Sequence, residues 1–314
     1  MPRIIDLIGV ASGLGGADGN CAQGPARLAA GGLDAHLRRS GGHAAWAETL
    51  VPQRLGGGVR RAVAQLCARL AAQVAESIRG GRLPCVIGGD HSCAAGTWMG
   101  AARALECHRR REDSSRLGGR LGLVWIDAHM DAHTPGTSPS GRLHGMPLAA
   151  LLGQCDHALE GLEDGALAGR HICLVGVRSF EPEEAALLAR LGVTAFGMQD
   201  IVRRGLKRVL EEARSIAGAG TAGYGVTLDL DALDPADAPA VATPAPHGIR
   251  GDELVQALEP IGRDPRLAAF ELAEYCPRRD RSRRTERLIL RILSAALCGS
   301  AEHPKVVADA LKAA

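Results

Sequence analysis

Aromatic residues are scarce in this 314-residue chain, which has three Phe, three Trp and two Tyr and only 3% aromatics in all. Leu, Val, Ile and Ala must therefore fill most of any core, and a hydrophobic content of 46% leaves room for a sizeable one. A strong excess of one charge is also lacking, because the formal net charge is only +2. We therefore expect no nucleic-acid partner and no attraction to an anionic membrane.

Paired cysteines are lacking as well. The nine cysteines are odd in number, widely spaced and without a CxxC pair, which argues against a disulfide framework and a zinc knuckle. Reduced, mostly buried thiols in a cytoplasmic protein are the simplest interpretation. Asp6 interrupts the first apolar run and no stretch reaches ~18 apolar residues, so we expect neither a secretion signal nor a membrane span.

Short β-rich runs alternate with Ala/Leu-rich helical runs along the chain. This alternation favours an α/β fold with a mostly parallel, doubly wound sheet covered by helices on both faces. Neither a repeat nor a low-complexity linker interrupts it, so we expect one domain over residues 1–314. The predicted strands are Arg3–Val10, Leu83–Ile87, Leu121–Ile126, His171–Val177, Gly223–Leu230 and Leu267–Leu272. The predicted helices are Gly24–Arg39, Val59–Arg79, Ser92–Cys107, Pro182–Leu191, Met198–Ala217, Gly251–Ile261 and Thr285–Cys298.

Two polar stretches are predicted to lie at the surface, His108–Arg120 and Pro277–Arg287. The second has six Arg and two acidic residues. We interpret it as a solvated loop or a subunit contact. A nucleic-acid patch is the alternative, but the segment lacks the interleaved aromatic residues that base stacking uses.

Acidic residues and histidines concentrate at the ends of four predicted strands, where parallel α/β sheets gather their functional groups. The four stretches are Gly88–Ser92 (GGDHS), Asp127–Asp131 (DAHMD), Asp229–Asp234 (DLDALD) and Glu271–Glu274 (ELAE). Strand side chains alternate faces, so Asp127 should point the same way as His129, and Asp229 the same way as Asp231.

Several carboxylates in one buried pocket would repel each other strongly, and divalent cations remove that repulsion. Four Asp and two His form an oxygen-rich ligand set with some imidazole. Such a set suits two Mn²⁺ ions, in contrast to the thiolate-rich set of many zinc sites. Such ions, about 3.5–4 Å apart, can acidify a shared water. Each motif alone also fits a turn, a helix cap or a solvated loop. Their joint occurrence after hydrophobic strands favours the metal site.

With these motifs in view, the sequence resembles the ureohydrolases: arginase, agmatinase, guanidinobutyrase and formimidoylglutamase. The resemblance covers nearly the whole chain, and Gln23-Gly24-Pro25, SGRLHG at Ser140, ATP at Ala242 and ELAEYCP at Glu271 extend it. It implies a three-layer α/β/α fold, a binuclear manganese hydrolase that releases urea from a guanidino group, and a homo-oligomer, usually a trimer or hexamer.

The resemblance also assigns residues to the reaction. It implies one manganese ligand set of His91, Asp127, Asp131 and Asp229 and a second of Asp127, His129, Asp229 and Asp231, with Asp127 and Asp229 bridging. Glu274 matches the acid that pairs with the substrate guanidinium, and His144 matches a pocket histidine that moves protons. Asp231 would carry a proton to the leaving nitrogen.

The loop after DAHMD, with its TSxSGxxHG core, is more similar to arginases than to agmatinases. The implied substrate-binding residues are His133, Ser140, Arg142, Glu181, Thr243 and Glu274. Arginases usually have Asn where this chain has His133 and Arg142, and both normal residues help to hold the substrate carboxylate. His or Arg can also bind a carboxylate. They equally suit a different guanidino acid.

The resemblance thus favours hydrolysis of L-arginine to L-ornithine and urea. Guanidinobutyrate, guanidinopropionate and agmatine remain open as substrates. Formimidoylglutamase activity is a further alternative, against which the SGxxHG loop argues. A catalytically silent member that serves as a binding or assembly subunit belongs to another class; the intact ligand positions and Glu274 argue against it.

Overall fold

A computed structural model describes residues 3–53, 57–112, 121–155 and 166–299. The described residues contain an eight-stranded sheet in which every pairing is parallel, in the order β2-β1-β3-β8-β7-β4-β5-β6. The strands are β1 (Ile4–Val10), β2 (His43–Leu50), β3 (Leu83–Ile87), β4 (Gly122–Ile126), β5 (Ile172–Val177), β6 (Thr194–Gly197), β7 (Tyr224–Asp229) and β8 (Leu267–Ala273).

All six predicted strands are present, within one or two residues of the predicted bounds. The sequence analysis missed β2 and β6, which form the two edges of the sheet. β2 is mostly exposed or half-buried along its length, and β6 has only four residues. Edge strands therefore lack the continuous apolar run by which the buried central strands are recognised.

Ten α-helices are found in the described residues: α1 (Gly24–Ala30), α2 (Leu33–Arg39), α3 (Gly58–Arg79), α4 (Ala94–Glu112), α5 (Pro147–Leu151), α6 (Pro182–Arg190), α7 (Met198–Arg204), α8 (Leu206–Gly218), α9 (Gly251–Gly262) and α10 (Arg284–Cys298). Two predicted helices are each divided in two. Gly31 and Gly32 separate α1 from α2, and Gly205, with a φ of +83°, separates α7 from α8. The left-handed conformation at Gly32 and the positive φ at Gly205 end a helix that an amphipathic pattern alone would continue.

Alternate residues of the central strands point into two different cores. In β4, Val124 and Ile126 belong to the core beneath α2, α8, α9 and α10, whereas Leu123 and Trp125 belong to the core beneath α3 and α4. Both pairs are fully buried. The sheet is therefore covered by helices on both faces, and the predicted three-layer α/β/α class is confirmed.

Ion pairs occupy several arginines of Pro277–Arg287. Arg279 pairs with Asp18, and Arg284 pairs with Asp237. The predicted polar surface stretch at 108–120 lies outside the described residues, apart from the backbone of the end of α4. Among the described helices, none is both long and apolar enough to cross a membrane.

Candidate metal centre

The four chemical motifs of the sequence meet at one edge of the sheet. β3, β8, β7 and β4 are neighbours, and because they are parallel their carboxyl ends lie at the same edge. His91 follows β3 in a short 3-10 turn, Glu274 follows β8, Asp229 ends β7, and Asp127 follows β4. The sheet topology therefore brings together residues that are up to 183 positions apart in the sequence.

Four side chains form a first buried group around His91. Its Nδ1 atom lies 3.2 Å from Asp127 Oδ2, 2.9 Å from Asp131 Oδ2 and 3.1 Å from Asp229 Oδ2. All four residues are buried. Three carboxylate oxygens thus converge on one imidazole nitrogen, which is the arrangement expected of ligands that point at a common centre.

A second group adjoins the first and shares Asp127 with it. His129 Nδ1 lies 3.5 Å from Asp127 Oδ1 and 3.2 Å from Asp231 Oδ2. Asp127 therefore presents Oδ2 to the first group and Oδ1 to the second. Asp229, the other predicted bridge, belongs only to the first group in this structure, and its Oδ1 accepts a hydrogen bond from the amide of Asp231 at 2.9 Å.

The turns after the strands explain why both motifs have an acid or histidine two residues after their first Asp. Asp127 Oδ1 accepts the amide of His129 at 2.7 Å, just as Asp229 Oδ1 accepts that of Asp231. Each carboxylate thus closes an Asx-type turn that holds the next ligand beside it. Trp125 Nε1 donates to Asp127 Oδ2 at 2.9 Å and fixes the shared carboxylate from within the strand.

Burial and mutual repulsion perturb these carboxylates. Burial, followed by the charge of Asp127, raises the pKa of Asp231 to about 7, and burial together with Asp231 raises the pKa of Asp229 well above its ordinary value. Burial lowers the pKa of His129, but Asp127 and Asp231 prevail and raise it to about 12. The negative charge of the clustered carboxylates therefore has to be compensated. Bound protons compensate it when no metal cation is present.

The side chains of the cluster are of the types that bind metal ions, and two of their ligating atoms make no hydrogen bond in the described structure. His91 Nδ1 and Asp131 Oδ2 are buried, yet neither atom has a hydrogen-bond partner in the described structure. On its other side, His91 Nε2 lies 3.0 Å from Thr227 Oγ1, which itself donates to Glu271 Oε1 at 2.8 Å. Because the Thr227 hydroxyl hydrogen is used on Glu271, Thr227 accepts from Nε2–H. The lone pair of Nδ1 is thereby left free for a metal.

Glu274 lies beside the first group and is 1% exposed. Its Oε1 accepts the amide of His91 at 3.0 Å and lies 3.1 Å from His144 Nδ1. Its φ of +66° places it in the left-handed region, which non-glycine residues seldom adopt. Its burial excludes a surface ion pair with the nearby Arg278 or Arg279, and Arg279 pairs with Asp18 instead.

The predicted substrate residues are spread over the loop and its surroundings. His133 is buried and its Nε2 lies 2.9 Å from Glu181 Oε2 and 3.3 Å from Glu184 Oε2. Ser140 and Arg142 are exposed, and Ser140 Oγ accepts the amide of Arg142 at 3.2 Å. The hydroxyl of Thr243 is buried without a hydrogen-bond partner in the described structure.

Sequence reasoning did not assign a role to several residues of this centre. Glu184 was one of them, although it packs against His133 and closes a capping box with Glu181 at the start of α6. The capping pattern was visible in the sequence. The role of Thr227 depends on tertiary contacts with His91 and Glu271 and had no such signal.

Comparisons with known proteins agree with this geometry. The model of the Arginase family matches residues 5–299. An arginase of Bacillus caldovelox is 37% identical over 237 residues, which are 75% of each chain. The crystal structure of arginase from Bacillus subtilis superposes with a TM-score of 0.83 at 31% identity, covering 94% of this chain and 98% of the other.

A formimidoylglutamase from Bacillus subtilis superposes with a TM-score of 0.71 at 20% identity, covering 97% of this chain and 89% of the other. At that identity the likeness concerns the fold alone. The sequence matches, which are to arginases, therefore decide which members of the family this chain is most similar to. The resemblance stated on the motifs is therefore confirmed. The chain belongs to the arginase family, and it is an arginase-like ureohydrolase, a hydrolase of carbon–nitrogen bonds in linear amidines.

Proposed function

We propose that this protein is a binuclear manganese enzyme that hydrolyses L-arginine to L-ornithine and urea. The observation that carries the proposal is the pair of adjoining ligand groups that share the Asp127 carboxylate beside the buried Glu274. The arginase names of its relatives support arginine as the substrate. Oxygen-rich ligation with two imidazoles supports manganese.

In this proposal each ion has its own ligand group. One ion would be held by His91, Asp127, Asp131 and Asp229, and the other by Asp127, His129, Asp229 and Asp231. Asp127 already presents one oxygen to each group, which supports its role as a bridge. Asp229, which ends β7 and accepts the amide of Asp231, would complete the second group.

A guanidinium carbon is a poor electrophile because its positive charge is delocalised, so the reaction needs a strong nucleophile and a well-held substrate. When bound, the two ions supply a water of lowered pKa and stabilise the charge that develops during attack. Glu274 binds and orients the guanidinium. Burial raises its pKa, but hydrogen bonds and the charge of His144 prevail and lower it, so its carboxylate stays ionised.

Proton movement falls to Asp231 and His144. Asp231 would take a proton from the attacking water and deliver it to the leaving nitrogen, as a carboxylate that acts as general base and then general acid does. His144, whose side chain is 19% exposed, can exchange protons between the site and solvent. Its contact with Glu274 keeps it at the cleft. Urea and an amine then leave.

The far end of the substrate would be bound by the loop after the centre. Ser140 and Arg142 offer a hydroxyl and a guanidinium for the carboxylate, and Thr243 offers an unpartnered hydroxyl. Glu181 would bind the substrate α-ammonium group. His133, which lies 2.9 Å from Glu181, would adjoin this end of the substrate.

One contact favours a second candidate substrate. Glu181 is already paired with His133, and Glu184 lies 3.3 Å from the same nitrogen. An α-ammonium group would have to displace or share this imidazole. A guanidino acid without an α-amino group, such as guanidinobutyrate or guanidinopropionate, avoids that competition and is our second candidate. Agmatine, which has no carboxylate, would leave Ser140 and Arg142 unused.

A urea-release screen of about a dozen guanidino compounds tests the proposal directly. We expect manganese-loaded enzyme to release urea from arginine, and dialysis against a chelator to abolish the release until Mn²⁺ is restored. Formamide from formiminoglutamate in place of urea would support formimidoylglutamase activity. No turnover of any compound would support a silent binding or assembly subunit.

Three further expectations concern the setting of the enzyme. We propose a single domain over residues 1–314, a homo-oligomer (trimer or hexamer) and a cytoplasmic location, the last because buried thiols outside disulfides suit a reducing compartment. Light scattering after size-exclusion chromatography measures the subunit number, and cell fractionation measures the location.

A further inference from the structure

Two cysteines lie in contact behind Glu274. Cys21 Sγ is 2.7 Å from Cys276 Sγ and 3.3 Å from Glu274 Oε2. Both cysteines are 0% exposed, and they are 255 positions apart in the sequence. A disulfide needs a sulfur separation of about 2.0 Å, so only a small movement separates this pair from a covalent bond.

Two short 3-10 turns hold this pair together. Cys21 belongs to the turn Gly19–Gln23, and Cys276 immediately precedes the turn Pro277–Arg279. An ion pair between Asp18 and Arg279, 2.8 Å long, joins the two turns at the surface. Gly19 and Gln23 are exposed although Cys21 is buried, so a small reagent reaches the sulfurs after a local opening of one turn.

The thiol of Cys21 donates its hydrogen to the carboxylate of Glu274. Both oxygens of Glu274 are engaged: Oε1 by the amide of His91 and by His144, and Oε2 by Cys21. The contact with Cys276, burial and the neighbouring Glu274 carboxylate raise the pKa of Cys21 far above its ordinary value, so the thiol keeps its hydrogen. Cys21 therefore holds the carboxylate from the side opposite to His144.

We propose that Cys21 and Cys276 form an oxidisable modification site, in which the reduced Cys21 positions Glu274 and the disulfide withdraws that hydrogen bond. A disulfide sulfur carries no hydrogen to donate. Oε2 would then be a buried charged oxygen without its donor, and Glu274 would lose the orientation with which it binds a guanidinium. Cys21 is in this view a positioning residue, and its oxidation state controls substrate binding.

The chemistry balances with a hydroperoxide, here hydrogen peroxide, as the two-electron oxidant. One thiolate attacks a peroxide oxygen, the O–O bond breaks, and a sulfenic acid and hydroxide form. The second thiol attacks the sulfenic sulfur, the S–S bond forms, and water leaves. In total, two thiols and one peroxide give one disulfide and two waters. Because the thiol of Cys21 is hard to ionise, the pair should react slowly at neutral pH and faster as pH rises.

The test oxidises manganese-loaded enzyme with hydrogen peroxide, removes the peroxide with catalase, and then measures two properties. Non-reducing peptide mapping records whether Cys21 and Cys276 are cross-linked. Steady-state kinetics records KM and kcat for the guanidino substrate, with the metal content measured before and after. Dithiothreitol should reverse both changes. The kinetic arm rests on the proposed function, whereas the peptide map does not, so the failure of either is recognisable.

We expect the cross-link in the wild type, with kcat/KM lowered roughly tenfold or more, mainly through KM. Cys21→Ser and Cys276→Ser should each show the same activity before and after peroxide. Cys173→Ser removes another fully buried thiol, on β5, and should respond as the wild type does. Cys21→Ala should raise KM without any oxidant, and Cys21→Ser, which keeps a hydroxyl donor, should reverse most of that loss.

Two results would overturn the proposal. The first is an oxidised enzyme whose peptide map contains no bond between Cys21 and Cys276. The second is a complete cross-link that leaves KM and kcat unchanged. If the reduced enzyme turns over no guanidino compound but the cross-link forms, the proposed function fails and the modification site stands on the peptide map alone.

Discussion

His91 Nδ1 and Asp131 Oδ2 lie 2.9 Å apart in a buried site, and neither atom makes a hydrogen bond in the described structure. Such atoms are costly to bury unless they have another partner. Thr227 and Glu271 explain the arrangement, because their hydrogen bonds place the imidazole hydrogen on the opposite nitrogen. The pair is therefore prepared to bind a cation, and this preparation underlies our account of the enzyme.

Thr227→Val should weaken manganese binding by about 10- to 100-fold, because His91 would lose the partner that sets its tautomer and ring orientation. The substitution keeps the side-chain volume, so the fold should be preserved. Titration of metal-free protein with Mn²⁺ measures the effect. Thr221→Val is the matched control, since the Thr221 hydroxyl donates to the carbonyl of Ala217, away from the centre. Unchanged affinity in the Thr227 variant would contradict the role of this contact.

Asp231→Asn should lower kcat by on the order of 10³-fold or more, because the amide can neither accept the proton nor bind the ion as a carboxylate does. Steady-state urea release measures the loss, and circular dichroism checks the fold. Asp252→Asn, at an exposed carboxylate that pairs with Arg291, should retain normal activity. Near-wild-type turnover in the Asp231 variant would refute its place in the mechanism.

Metal-free enzyme should lose stability as pH rises. The folded state raises the pKa of Asp231 from 3.8 to about 7, so the folded state binds a proton there more tightly than the unfolded chain does. The free energy of unfolding therefore falls as pH rises from about 4 to about 7. The raised pKa values of His91 and His129 act in the same direction above pH 6.5. The lowered pKa of Asp127 acts oppositely, but only as pH falls below 3.8.

Bound manganese replaces these protons, so the loaded enzyme should escape the loss. We expect the difference in Tm between loaded and metal-free enzyme to grow by roughly 5 °C or more from pH 5 to pH 8. Differential scanning calorimetry at several pH values measures it. A difference that is constant with pH, or that shrinks, would show that the cluster does not carry these protons.

Ser140→Ala should raise KM for arginine about tenfold and leave kcat nearly unchanged, as expected when a hydrogen bond to an unreacting carboxylate is removed. Agmatine, which lacks that carboxylate, should show no such change in whatever turnover it supports. Ser138→Ala is the control from the same loop, because its hydroxyl accepts the amide of Gly141. An unchanged KM for arginine would favour a substrate without a carboxylate.

His133→Asn should shift specificity towards arginine. Removing the imidazole frees Glu181 and Glu184 to face an α-ammonium group. We expect the ratio of kcat/KM for arginine to that for guanidinobutyrate to rise roughly tenfold, equivalent to about 1.4 kcal/mol. Competition between the two substrates measures the ratio. A ratio that falls would show that His133 itself helps to bind the amino-acid end.

The central part of the fold and the clustering of the candidate ligands were predictable from the sequence because both depend on local patterns. Buried strands such as Leu83–Ile87 read as continuous apolar runs, and four of them lead directly into an acid or histidine of the centre. The edge strand β2 was missed because five of its eight residues are exposed, which leaves it without such a run.

Contacts between distant residues could not be predicted in this way. Thr227 and His91 are 136 positions apart, and nothing in the local sequence of Thr227 distinguishes it from a threonine that merely fills a strand. The same holds for Cys21 and Cys276, which the sequence analysis grouped with the other buried thiols. These contacts are set by the tertiary fold, which brings the ends of strands and the turns that follow them together.

The most direct test of the account is an anomalous difference map, recorded at the manganese absorption edge, from a crystal grown with Mn²⁺. We predict two peaks about 3.5–4 Å apart, with the Asp127 and Asp229 carboxylates between them. His91 and Asp131 would lie beside one peak, and His129 and Asp231 beside the other. A map without a peak at this cluster, or with manganese bound elsewhere, would contradict the account.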